Sequence, residues 1–277
     1  MEALSTGLLY YVLILARVAG LIFTTPIFNS QAVGYRSQMV ISIMLSFVLY
    51  PIVANHLNAP PQQMGPFILE ILSQVFMGTI MGFMIQLLFA AFQLAGEFFS
   101  LQMGISFSEV LDPQAQVSIP VMGTLKNLIG TLLFLAVPFE VDGVYAPAYL
   151  HLIRAVGYSF VAVPTIIIDG QTSGGILNYM DESFGVMFLT ALRIGIPMMG
   201  ILFISSVMLG IMGRAAPQLN LMNMGIQVNI TVGLLVLITV LPVIVPLMRD
   251  SFASMYDVIG EMFDTWPKAR PGGPNAG

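Results

Sequence analysis

Three stretches of this chain, 71–96, 194–213 and 215–248, carry no Asp, Glu, Lys or Arg at all. Each is at least as long as the roughly 20 residues an α-helix needs to cross the hydrocarbon core of a bilayer. A helix without charge on any face cannot lie on the surface of a water-soluble domain, so it must be buried in protein or in lipid. The remainder has too few charges to cover such a mass. Only 8% of the 277 residues are charged, against about 25% in an ordinary soluble domain. The runs also lack the alternation of a barrel strand, which leaves helices as the only spanning element. The sequence therefore specifies an all-α polytopic membrane protein of about six long apolar helices, and excludes a water-soluble enzyme as the default.

The six apolar segments are Leu8–Phe28, Gln38–Leu57, Phe67–Ala95, Leu125–Pro138, Val186–Met212 and Ile226–Met248. A seventh, Tyr149–Ile168, is interrupted by Arg154 and Pro164 and reads as re-entrant or packed on protein. Turn residues separate them, among them Asn58-Ala59-Pro60-Pro61, Asp112-Pro113, Asp142-Gly143 and Ala216-Pro217. The start of the chain has no basic n-region, so the first apolar segment is expected to be retained rather than cleaved. Six spans place both termini on one side. The loops around Arg36 and Arg214 carry only basic charge, which favours the cytoplasm for the other side. Arg154, Arg249, Lys268 and Arg270 oppose that assignment, so the charge count is near even.

Composition narrows the chemistry. There is no cysteine, so disulfides and thiolate metal sites are impossible. His56 and His151 stand far apart with no HExxH pattern, and no metal or other cofactor is implied. The net charge of −5 without a basic patch argues against a nucleic-acid partner. No GxxxxGK[ST] nucleotide loop occurs.

Several residues stand out against the apolar background. Arg17 and Arg193 lie inside the first and fifth segments, where a charge costs several kcal/mol unless it is paired or hydrated. An ion or substrate path and a structural pair with Glu70 or Glu97 are both open. Gln86, Gln93 and Glu97 share one face of the third segment, which should meet protein or water rather than lipid. Gly78 and Gly82 form a GxxxG spacing that suits close helix packing, or that arises by chance in a Gly-rich chain. Met77, Met81 and Met84 line one face, and Met198, Met199, Met208 and Met212 cluster later. They serve as core filling or as an adaptable surface for a passing chain. The stretch Gly104–Pro120 is long and mixed in polarity. With Phe107, Val110, Leu111 and Ile119 it is too apolar for simple disorder, and it suits a segment that packs into a cavity or closes one. After the last span, Phe252, Met255, Tyr256, Ile259, Met262, Phe263 and Trp266 repeat at helical spacing, with Asp250, Ser254, Asp257, Glu261 and Asp264 on the other face. Lipid-binding helices of this kind carry Lys and Arg, so the acidic face predicts docking on a protein partner. The Pro/Gly-rich tail from Pro267 is expected to be disordered.

These residues carry a resemblance. Arg17, Gly20, Pro26, Phe28 and Arg36 stand in the first part. Gln93-Leu-Ala-Gly-Glu97, Gln102-Met-Gly-Ile-Ser106, Asp112-Pro113 and Pro120 follow. Then come Ser159-Phe160, Pro164 and the hairpin tip Arg214-Ala-Ala-Pro-Gln-Leu-Asn220 with Gly225. In that order they resemble the R-component family of the type III protein export gate, which has flagellar and virulence-secretion branches. The tip is the most specific piece. The chain departs from the family where Ile226-Gln227 replaces the usual Phe-Pro pair, and where Val141-Asp-Gly-Val-Tyr145 stands near the place of a central Gly-His.

The resemblance implies a non-enzymatic subunit that forms, with P- and Q-type subunits, a pore for unfolded proteins in the bacterial inner membrane at the flagellar basal body. A B-type export switch protein is a further implied partner. By analogy residues 1–182 are P-like, 183–263 are a Q-like helical hairpin with the amphipathic helix, and 264–277 are a tail. The family's pore plug falls on Phe107, Glu109, Val110, Leu111, Asp112, Pro113, Gln114 and Gln116, and its cytoplasmic tip on Arg214, Pro217, Gln218 and Asn220. The resemblance leaves a virulence-type gate subunit as one alternative, and the residues alone leave a small-solute transporter or channel. The latter is favoured by Arg17 and Arg193 and disfavoured by the lack of an inverted repeat.

Overall fold

The computed structural model describes residues 2–28, 33–61, 63–104, 121–164, 170–215 and 221–265. Seven helices are seen among them: α1 (Glu2–Thr24), α2 (Tyr35–Val53), α3 (Met64–Met103), α4 (Val121–Ala136), α5 (Ala148–Ala162), α6 (Gly170–Ala215) and α7 (Leu221–Thr265). A single β-hairpin, β1 (Pro138–Val141) and β2 (Val144–Pro147), precedes α5. Five helices are long and apolar enough to cross a membrane, and a shorter apolar helix covers Thr124–Ala136. The all-α polytopic expectation holds. Three helices run well beyond the apolar segments. α3 has 40 residues, α6 has 46 and α7 has 45. At 1.5 Å per residue each is at least about 60 Å long, twice the hydrocarbon core.

Two compact units are formed. The first holds Met1–Leu87, Phe139–Phe184 and Ser254–Gly277, and the second Leu88–Pro138 and Gly185–Ala253. In the first, α1 and α3 meet along a glycine seam. A Cβ on Gly78 would run into the carbonyl oxygen of Arg17, and one on Gly20 into that of Val75. A Cβ on Gly82 would come 2.8 Å from Thr24 Cβ. The GxxxG spacing is therefore a packing device, since side chains here would separate the backbones.

α2 is inside out. It buries Gln38, Ser42, Ser46, Leu49 and Val53, and exposes Met39, Val40, Ile43, Met44, Phe47, Val48 and Ile52. The buried hydroxyls are satisfied within the helix, Ser42 donating to Gln38 O at 2.8 Å and Ser46 to Ser42 O at 2.6 Å. Water would reject such an outer face, whereas hydrocarbon or a partner's apolar face accepts it.

The hairpin turns on Asp142 (φ 51°) and Gly143 (φ 73°). This is the left-handed pair that a two-residue hairpin demands and that Asp-Gly supplies. The hairpin receives the end of α7. Tyr256 donates its hydroxyl to Ala148 O at 2.8 Å, and its ring packs with those of Phe139 and His151. Met255, Tyr256, Ile259, Met262 and Phe263 are buried, while Asp257, Glu261 and Asp264 are exposed. The apolar side of the acidic helix is thus covered by its own chain, where the sequence had suggested a separate protein partner. α7 also continues past residue 263 to Thr265. Trp266 and the tail lie outside the described residues.

The second unit is centred on four rings, Phe89, Phe92, Phe134 and Phe252, with centroids 5.6 to 6.5 Å apart. Gly130 of α4 makes room for them, as its Cβ would lie 2.7 Å from the ring of Phe92. Met77, Met81, Met84 and Met198 are buried, as core filling predicts; Met208 and Met212 are exposed.

Replacing Gly78 by Ala forces backbone apart from backbone and should cost about 2 to 3 kcal/mol. Gly210→Ala, with nothing within 4 Å of the added methyl, should stay within about 0.5 kcal/mol of the parent. Unfolding of the detergent-solubilised protein followed by circular dichroism measures both.

Candidate functional site

A buried polar network in the first unit centres on Arg17, which lies in α1 and is fully buried. Its binding site is made by the end of α5. Pro164 disfavours helical geometry at the residue before it, and Val163 accordingly leaves the helix at φ −134°, ψ 74°. Carbonyls at a helix end lack partners and carry the negative pole of the helix dipole. Arg17 Nη2 donates to Val163 O at 2.8 Å, Nη1 donates to Ser159 Oγ at 2.9 Å, and Nε donates to Gln74 Oε1 at 2.7 Å. The guanidinium carbon stands 4.0 Å over the ring of Phe160, an added cation–π contact.

The next layer completes the network. Gln74 Nε2 donates to Pro164 O at 2.9 Å and to Glu70 Oε1 at 2.9 Å. Ser159 Oγ donates to Val156 O at 2.7 Å. Arg17 is thus bound by a helix end, a ring face and an amide relay to Glu70, with no carboxylate bonded to it directly. This arrangement holds three helices together. All three guanidinium nitrogens are engaged. The resemblance had singled out Arg17, Ser159, Phe160 and Pro164, and these four meet in this one site.

The other singled-out residues lie apart from it. Gln86 and Gln93 are exposed on α3 and Glu97 is half-buried. Arg193 is exposed on α6, and neither Glu97 nor Glu70 pairs with it. Among the described residues the one ion pair is Arg249 with Asp250 at 3.3 Å, on the surface. Arg214 is exposed in the last turn of α6. Pro217, Gln218 and Asn220 of the tip lie outside the described residues. So do Phe107, Glu109, Val110, Leu111, Asp112, Pro113, Gln114 and Gln116 of the loop. At the mouth of that loop, Gly104 ends α3 with φ 79°, a conformation that suits glycine.

One feature was not legible in the sequence. A cleft of about 530 Å³ opens between the hairpin, α5 and the end of α7, lined by Asp142, Asp257, Glu261 and Asp264 with Arg154 and Tyr158. Tyr158 donates its hydroxyl to Asp264 Oδ1 at 2.6 Å, and this bond to a carboxylate raises its pKa above the usual tyrosine range. Asp142 and Asp264 are distant in sequence, and no spacing rule links them. Among the described residues no group of His, Asp and Glu is arranged to hold a metal ion.

Comparison with known proteins gives a consistent picture. The family described as "Bacterial export proteins, family 1" matches residues 8–255. A relative from Pectobacterium carotovorum, a flagellar biosynthetic protein FliR, is 29% identical over 89% of this chain and 89% of its own length. The Escherichia coli FliR is 27% identical over 91% and 92%. That of Bacillus subtilis is 27% identical over 88% and 90%.

Arg17→Ala removes the donor to the Gln74 amide oxygen, the Ser159 hydroxyl oxygen and the Val163 carbonyl, and should destabilise the protein by about 1 to 3 kcal/mol for each buried acceptor left unsatisfied. Arg17→Lys keeps the charge but cannot reach three acceptors, and should recover only part of that loss. Thermal unfolding of the two variants beside the parent measures the difference.

Proposed function

From the premise that this chain belongs to the bacterial export proteins, family 1, we propose that it is a non-enzymatic subunit of the flagellar type III protein export gate. It forms, with P- and Q-type membrane subunits, the pore through which unfolded proteins leave the cytoplasm, and it works with a B-type export switch protein. The observation that carries this reading is the match across nearly the whole chain, with relatives that are flagellar biosynthetic proteins.

The geometry supports the reading in two ways. The candidate spans of α6 and α7 are only 22% and 28% buried within the chain, against 61% for that of α3. α6 presents Ile196, Ile201, Phe203, Ile204, Val207 and Ile211 outwards. Such an apolar surface needs lipid or partner subunits, and helices of about 60 Å or more cannot be covered by a single bilayer core alone. The left-handed turn at Gly104 releases the chain from α3 into the segment 105–120, which we assign as the plug that keeps the resting pore closed. Residues 214–220 form the tip at the cytoplasmic mouth, and the assembly lies in the inner membrane at the flagellar basal body.

Deleting Phe107–Gln116 should leave the complex assembled and the inner membrane leaky to ions, read as loss of membrane potential with a voltage-sensitive dye. A tight membrane around an assembled complex with that deletion would overturn the plug assignment. Export of flagellar proteins by cells whose only copy has been removed would overturn the gate reading.

A further inference from the structure

In the second unit α3 has one face without a neighbour. Successive residues of a helix are turned by about 100°, so Phe92, Ala95, Phe99 and Met103 share one side, and Ala90, Gln93 and Glu97 the opposite one. The first side is occupied. Phe92 meets Gly130 of α4, Ala95 lies 3.9 Å from the Cβ position of Gly195 on α6, and Met103 fills the place of a side chain at Gly233 of α7. On the second side Ala90 and Gln93 are exposed and Glu97 is half-buried. Between Leu88 and Ser100 no other residue is exposed.

This open face is polar and one-signed. Among the described residues, neither the amide of Gln93 nor the carboxylate of Glu97 has a hydrogen bond or an ion pair. Among the described residues none of the unit's own cations pairs with Glu97. Lys126 is fully buried. Arg249 is paired with Asp250, and Arg214 ends α6. Arg193, two residues before Gly195, lies about 200° around α6 from the side that meets α3. Hydrocarbon cannot satisfy an amide or a carboxylate, and lipid phosphates repel the latter. Ala90 lets another backbone come close.

We infer that Ala90, Gln93 and Glu97 form the docking face for a membrane helix of a neighbouring subunit that presents a lysine or arginine to Glu97, with Gln93 hydrogen-bonding beside it. The inference rests on the gate reading, since it needs a neighbour in the membrane. The charge of Glu97 selects a basic helix rather than lipid, and the narrow polar strip selects a helix rather than a broad domain surface.

The test uses the full chain expressed in cells lacking their own copy. A photo-reactive residue at position 90 should cross-link to a helix of another membrane subunit, within a turn of a Lys or Arg. Glu97→Lys should lower the amount of co-purified subunit by about tenfold or more, with the variant still inserted at parental level. Reversing the sign of the cross-linked basic residue should restore assembly. Gln93→Leu should weaken assembly less, and unlike Glu97→Lys it should not be rescued by that reversal. Cross-links to lipid or to exported polypeptide alone would overturn the inference. So would Glu97→Lys assembling as well as the parent while the parental complex forms normally. A parental chain that co-purifies with no membrane subunit overturns the gate reading, and this inference with it.

Discussion

The burial of one cation organises the first unit of this protein. A guanidinium inside an apolar helix is tolerated only if its nitrogens find acceptors, and here each of the three does, from α3 and the end of α5. That requirement accounts for several neighbouring choices. Pro164 stops α5 so that two carbonyls are free. Gln74 stands where it can serve Arg17, Pro164 and Glu70 together. Gly78 and Gly20 bring α1 close enough to α3 for the reach to be short. Breaking one of these leaves a buried polar group unsatisfied, which is costlier than losing a surface pair. The seam and the cation therefore depend on one another: the glycines set the distance, and the hydrogen bonds fix the register.

The same environment explains why so little of the surface looks ordinary. α2 buries its serines and turns methionines, valines and a phenylalanine outwards. The helices α6 and α7 do likewise over most of their spans. In water these faces would drive association, whereas lipid or a partner's apolar face accepts them. Low charge is then a consequence of how much of the chain is covered, by lipid or by other subunits.

Much of the fold was legible because its signals are local. Charge-free runs of bilayer length marked the long helices, Asp142-Gly143 marked the tight turn, and the period of Phe252 to Phe263 marked an amphipathic end. The GxxxG pair pointed to close packing before any partner was known. What could not be read is set by long-range geometry. The acceptors of Arg17 lie 57, 142 and 146 residues away, so the sequence offered a structural pair and a solute path as equal readings. The strands of the hairpin are too short to carry a periodic signal, and the surface that receives the acidic helix is assembled from β1 and α5. Arg193 and Glu97 looked like candidate partners, yet they point away from each other across a close helix contact. Length and hydropathy record where a helix runs, and they say nothing of which face meets which neighbour.

The proposed gate role requires this chain to be covered by other subunits. The most direct test is native mass spectrometry of the complex extracted in mild detergent from cells carrying a tagged copy. The prediction is a discrete assembly in which the chain is held with several copies of small P- and Q-type membrane proteins. A chain that emerges alone, stays soluble in detergent as a monomer and conducts solute when reconstituted by itself would contradict it.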